Sequence, residues 1–217
     1  MRLVRARQAL KTARDERTVR EQLYRWESWD AEIRSCLGFV RGGIFSGSPP
    51  LVLRTDERFL LSAVGTTLLE PQRLPGEWTS TTLGSSWRVT SHWRLYSSRA
   101  RSTYRPVKET ESVIDTGTVT ITTDRAVFQG AKHSREWPFT KLLGYQHHPV
   151  RPLTYLQSSN RKRTSMIGYS VATEDVIRLR LEVAVALWSH GAVEVEQRLE
   201  GARRAHTQRR PDRRLIA

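Results

Sequence analysis

The residues best equipped for chemistry in this chain are arginines held in two runs. The first is Gly84 to Lys108, GSSWRVTSHWRLYSSRARSTYRPVK. It carries Arg88, Arg94, Arg99, Arg101, Arg105 and Lys108 with no acidic residue, and it interleaves Trp87, Trp93, Tyr96 and Tyr104. The second is the short run Arg161-Lys162-Arg163. A guanidinium is a planar fork of N–H donors that stays charged, so it suits phosphate and carboxylate better than a lysine ammonium does. These nine basic residues are the candidate anion-binding set.

Other chemistries find little to work with. His147 and His148 are adjacent, so in a strand they point to opposite faces. His92, His133, His190 and His206 stand apart, and no C-x-x-C or H-E-x-x-H spacing occurs. Cys36 has no histidine nearby in sequence, and no G-x-S-x-G occurs. Phosphate-loop and dinucleotide glycine patterns are absent. The chain therefore reads as a non-enzymatic binder that needs no cofactor and no metal.

The 217 residues carry a formal charge of +14, with arginine outnumbering lysine 31 to 5. The charge is uneven. Residues 201–217 alone hold six arginines against one aspartate, whereas the body is only mildly basic. Apolar residues make up 38%, including seven tryptophans, enough for one mid-sized core. No apolar run approaches the roughly 20 residues that span a bilayer. The N-terminus, Met1-Arg2-Leu3-Val4-Arg5-Ala6-Arg7, lacks the apolar stretch of a secretory signal. With a single cysteine, the expected location is the cytoplasm, with peripheral contact on the inner membrane face.

Four regions must position the basic residues. Residues 1–40 read as a charged amphipathic helix, with Val19, Leu23, Trp26 and Ile33 along one face. Residues 41–58 form a linker rich in Gly and Pro. Phe59 to Leu69 reads as a strand bent near Gly65, followed by a Ser/Thr-rich loop. Ile114 to His148 reads as three strands. Val119 and Ile121 share one face of the first, Thr123-Asp124 makes a hairpin turn, and Gly130 with Lys132-His133 makes a second turn. The third strand is expected over Trp137 to Tyr145. Two more strands flank the basic turn at 158–163. Thr173 then opens a helix with Ile177, Leu181, Val185 and Trp188 in one stripe, Trp188 and Leu181 being expected in the core, and Gly191 ends it. Residues 192–217 are expected to be a basic, disordered tail, although 193–205 has helical character.

Gly117, Thr120, Thr123, Arg125 and Phe128, followed by Trp137, Phe139, Lys141 and Leu142, resemble the middle of a bacterial pleckstrin-homology-like or GRAM-like domain. Asp115-Thr116-Gly117 adds to the resemblance, which covers roughly Leu60 to His190. The resemblance implies an α+β fold: an antiparallel PH-like β-barrel of about seven strands over 59–191, plugged by a C-terminal helix and preceded by the N-terminal one. It also implies a binding module, and it is silent on the ligand, because this fold hosts many unrelated roles. The expected partner is anionic phospholipid or a protein. The alternative is nucleic acid, held by the Arg/aromatic stretch 87–108 and the basic tail.

Overall fold

A computed structural model describes residues 2–72, 85–90, 93–97, 110–161 and 163–211. They form two units, Met1–Phe45 with Ser189–Ala217, and Ser46–Trp188.

In the first unit, helix α1 (Arg2–Val40) packs on helix α3 (Ala192–Gln208). Ile33, Cys36, Leu37, Phe39 and Val40 on α1 are buried, as are Val195 and Leu199 on α3. The two helices are also clasped by polar contacts. The Trp26 indole stacks on the His206 imidazole, 4.7 Å apart and 8° from parallel. Trp26 Nε1 donates to the His206 carbonyl at 3.0 Å, and His206 Nε2 lies 2.9 Å from the Trp26 carbonyl. Arg41 reaches Glu196 at 2.7 Å and Glu200 at 2.6 Å. Residues 192–208 are thus helical, in line with the helical character of 193–205, and the disordered tail expected over 192–217 does not begin at 192. Val195 and Leu199, at i and i+4, give this highly charged segment the apolar edge that docks it.

The second unit is built on a seven-stranded antiparallel sheet. Its strands are β1 (Phe59–Gln72), β4 (Thr110–Thr122), β5 (Arg125–Gly130), β6 (Ser134–Pro138), β7 (Leu142–His147), β8 (Leu153–Ser158) and β9 (Ser165–Gly168), in the order β6-β5-β4-β1-β9-β8-β7. A separate hairpin pairs β2 (Ser85–Thr90) with β3 (Trp93–Ser97). β1 is the shared strand. It pairs with β4 along its length and with β9 at Thr67, Leu68 and Leu69. Gly65 interrupts the register between Val64 and Thr66 with φ 70°, a conformation that costs a residue with a Cβ about 1–2 kcal/mol.

The sheet is rolled but not closed. Three residues in a 3₁₀ turn, Phe139–Lys141, link the two edge strands β6 and β7, so those edges meet at one corner. No ladder joins them. The expected barrel is therefore corrected to an open, curled sheet. The single strand expected over Trp137 to Tyr145 is likewise two strands, on opposite edges. β5 begins at Arg125, the register partner of Pro138, so the ladder runs out there and β6 ends.

Curling is also evident in one ion pair. Glu70 on β1 and Arg135 on β6 lie three strand spacings apart, roughly 14 Å in a flat sheet. Their Oε1 and Nε atoms are 2.8 Å apart. Side chains of this length meet so closely only if the sheet bends around an interior. That interior holds Leu60, Leu68, Val119, Ile121, Phe128, Trp137, Phe139 and Leu156.

Helix α2 (Glu174–His190) contributes buried Ile177, Leu179, Leu181, Val183 and Ala184. Trp188, expected in the core, is 47% exposed. Burial along the stripe falls off after Ala184, with Val185 half-buried. Polar contacts tie α2 to the strands. Arg180 donates to the Leu60 carbonyl at 2.7 Å, and Arg178 donates to the His148 and Arg151 carbonyls at 2.7 and 3.0 Å. Gly191 follows α2 with φ 80° and ψ 171°, so the helix stops at a positive φ without the left-handed ψ.

Candidate anion site on the rolled sheet

The basic turn between β8 and β9 divides its arginines. Arg163 is exposed, with Nη1 3.5 Å from the Pro71 carbonyl. Arg161 is half-buried, and its guanidinium lies 5.8 Å from the centre of the Trp137 ring. Trp137 itself is 0% exposed. The Arg161 Nε and the Trp137 Nε1 are both buried without a hydrogen-bond partner. Two shielded N–H donors without acceptors are unusual, since each costs about 1–3 kcal/mol.

Two further groups share this end of the sheet. β1 and β9 pair at Leu69 and Met166, which places Glu70 beside the β8–β9 turn. The Glu70 carboxylate accepts from Arg135 Nε at 2.8 Å and from Ser165 Oγ at 3.4 Å. Burial opposes ionisation of Glu70. The Arg135 hydrogen bond and charge, the Ser165 hydroxyl and the Arg161 charge outweigh it and hold the carboxyl below its usual range. Arg161 shows the complementary effect. Burial and the like charge of Arg135 pull its pKa below the ordinary arginine value, and Glu70 offsets part of that. Arg135 thus bonds the carboxylate while Arg161 acts on both only through charge, which leaves a surplus positive charge in a partly dry setting.

Arg88 and Arg94 are register partners in the β2–β3 hairpin. Arg99, Arg101, Arg105, Lys108 and Lys162 lie outside the described residues. Of the cluster, sequence reasoning identified Arg161 alone as a ligand residue. Trp137 was read as a strand residue of the family pattern, and Glu70 and Arg135 were not singled out. One signal was present: Glu70 places a carboxylate directly after the apolar run ending in Leu69.

Several residues that carry the family resemblance hold the scaffold together. The Asp115 carboxylate accepts the backbone N–H groups of Lys132 and His133 at 2.7 and 2.6 Å, pinning the β5–β6 turn. Arg125 makes two bonds to Glu57, at 2.8 and 3.0 Å, and a third to Glu136 at 3.1 Å. Among the described residues, no three His, Cys, Asp or Glu side chains are placed to hold a metal ion. No helix in the described residues is long and apolar enough to cross a membrane. No family model matches the chain, and no curated protein does.

Proposed function

We propose that this chain is a non-catalytic, PH-like or GRAM-like binding module that docks on an anionic surface, with anionic membrane lipid as the first partner and an acidic protein surface as the other. The observation that carries the reading is the half-buried Arg161, whose charge lies over Trp137 with an unpartnered Nε beside a second guanidinium. A cation kept in that setting gains from an incoming anion, because the cost of desolvating it has already been met by folding. Seven antiparallel strands followed by a helix that buries Ile177, Leu181 and Ala184 support the reading, although the sheet is open where the resemblance implies a barrel. Exposed Arg163 and the remaining basic turn supply long-range attraction, at about 1 kcal/mol per basic residue near an anionic leaflet.

Liposome flotation tests the reading. The protein is mixed with neutral or anionic vesicles in moderate salt, with a single-stranded oligonucleotide as competitor. Flotation with anionic vesicles only, retained with the oligonucleotide and reduced in Arg161→Gln/Arg163→Gln, is the expected result. Flotation unchanged in that double variant removes the turn from the mechanism. Flotation erased by the oligonucleotide shifts the reading to a general polyanion surface.

A further inference from the structure

We propose that Glu70 is a built-in counter-ion that holds the place of a phosphate monoester between Arg135 and Arg161, so that ligand binding at this site is an exchange of one anion for another. The inference rests on the anion-binding reading above and assigns its ligand class and its internal competitor.

The geometry carries it in three steps. First, the site has one more guanidinium than carboxylate, and only one of the two is neutralised by direct contact. Arg135 Nε is 2.8 Å from Glu70 Oε1, whereas Arg161 Nε has no acceptor. Second, the carboxylate is shared at a distance. Glu70 feels the charges of both arginines while bonding to one. The bonds that Glu70 accepts from Arg135 and Ser165 both fall on Oε1. A phosphate monoester offers three terminal oxygens and close to two negative charges, so it matches two guanidinium groups in number and charge. Third, the site is accessible at its rim and shielded at its base. The Glu70 and Arg135 side chains are 18% and 22% exposed, while Trp137 beneath Arg161 is fully buried. Glu70 has a low pKa, so it stays ionised at neutral pH and competes throughout the physiological range.

The prediction separates this scheme from ordinary electrostatics at a basic turn. Removing the internal carboxylate must tighten binding of a small anion. Removing Arg161 must weaken it. The full chain is titrated calorimetrically with inorganic phosphate as wild type, Glu70→Gln and Arg161→Gln, each checked by circular dichroism. Glu70→Gln is expected to bind on the order of tenfold more tightly, from one like charge removed at close range in a half-buried setting. Arg161→Gln is expected to lose at least about tenfold, as one charge-assisted hydrogen-bond partner is removed. Equal or weaker phosphate binding in Glu70→Gln overturns the exchange scheme, as does unchanged binding in Arg161→Gln. If Glu70→Gln does not fold, Glu70→Ala, which removes the same charge, provides the same comparison.

Pelleting with vesicles of phosphatidylcholine carrying phosphatidic acid, or instead phosphatidylglycerol, identifies the source of the phosphate. Preference for phosphatidic acid, suppressed by free phosphate, assigns a lipid monoester to the site. Phosphate binding that follows the predicted order, without vesicle binding, supports exchange with a soluble monoester and rejects the membrane reading alone. Vesicle binding indifferent to both variants and to free phosphate rejects the exchange scheme and leaves the membrane reading standing on other residues.

Discussion

Replacing Arg125 by methionine should destabilise the β-rich unit by about 3–5 kcal/mol at neutral pH, the range for stripping one partner from a buried ion pair. The size follows from where Glu57 sits. Its side chain is 0% exposed and that of Arg125 is 12% exposed. Arg125 Nε and Nη2 grip the two carboxylate oxygens at 2.8 and 3.0 Å. Thr122 Oγ1 and the Arg54 N–H add donors at 2.6 and 2.7 Å. Burial works against the Glu57 charge, and these donors outweigh it, so the carboxyl titrates below its ordinary range. Methionine fills a similar volume but leaves that charge with two neutral donors and no counter-ion. The Arg125 bond to Glu136 adds little, because Glu136 is 38% exposed and screened. The pH dependence has a definite sign. In the wild type, a carboxyl with a depressed folded pKa stabilises above the unfolded value, about 4.3, and that contribution fades as pH falls through the folded value. In Arg125→Met the burial penalty is no longer offset, so the folded pKa of Glu57 rises. The deficit is then greatest at neutral pH and shrinks as the solution is acidified. Urea unfolding at several pH values measures both curves, and the melting temperature should fall by roughly 10 °C at pH 7. The double variant Glu57→Gln/Arg125→Met removes both charges and should recover at least about 1 kcal/mol relative to Arg125→Met. A loss below about 1 kcal/mol, or a double variant weaker than Arg125→Met, would refute the argument that a stranded charge sets the cost.

Two further stability predictions follow from local geometry. Thr154→Val cuts a chain in which Arg178 Nε donates to the Tyr169 hydroxyl at 3.1 Å, Tyr169 meets Thr154 at 2.8 Å, and Thr154 meets His147 Nδ1 at 2.8 Å. Thr154 is 1% exposed, so a loss of about 1–3 kcal/mol is expected in chemical denaturation, and an unchanged midpoint would mean the chain is not cooperative. Gly65→Ala should lose about 1–2 kcal/mol through φ 70° alone, since an added Cβ meets nothing within 4 Å. Asn, which tolerates that region better, should lose less at the same position in the same assay.

Much of this sheet could be read in the sequence because short-range signals agree with one another there. Thr118 to Thr122 alternate as a strand does, Thr123-Asp124 supplies the turn, and β4 and β5 pair as that register requires. The errors arose where long-range geometry decides. Trp137 to Tyr145 has an apolar and aromatic rhythm that reads as one strand, and the break falls where β5 begins at Arg125 and leaves β6 without a partner. The turn Phe139–Lys141 then divides one apparent strand into two edges of the same sheet. Closure was misjudged for a related reason. Alternation reports which face is buried, and a curled sheet and a closed barrel bury the same face. In α3, the charged composition hid a two-residue apolar edge, which is enough to dock a helix that has a partner.

The site shows why charge runs are poor guides to function. Arg161, Lys162 and Arg163 are equivalent in sequence, yet the described pair part company in space. Arg163 remains exposed, while Arg161 lies over an indole from the opposite edge of the sheet. Nothing within ten residues of Arg161 specifies this, because Trp137, Arg135 and Glu70 reach it only through the curl. The same curl brings Glu70 to Arg135, so one global feature creates both the surplus cation and the carboxylate that partly quenches it. A flat sheet with the same pairings would leave all three charges solvated and roughly independent, at the 0–1 kcal/mol typical of surface pairs. Rolling the sheet couples them. Selectivity for a small dianion over a generic acidic surface is then a property of the rolled geometry, and it should disappear under conditions that loosen the curl while preserving the strands.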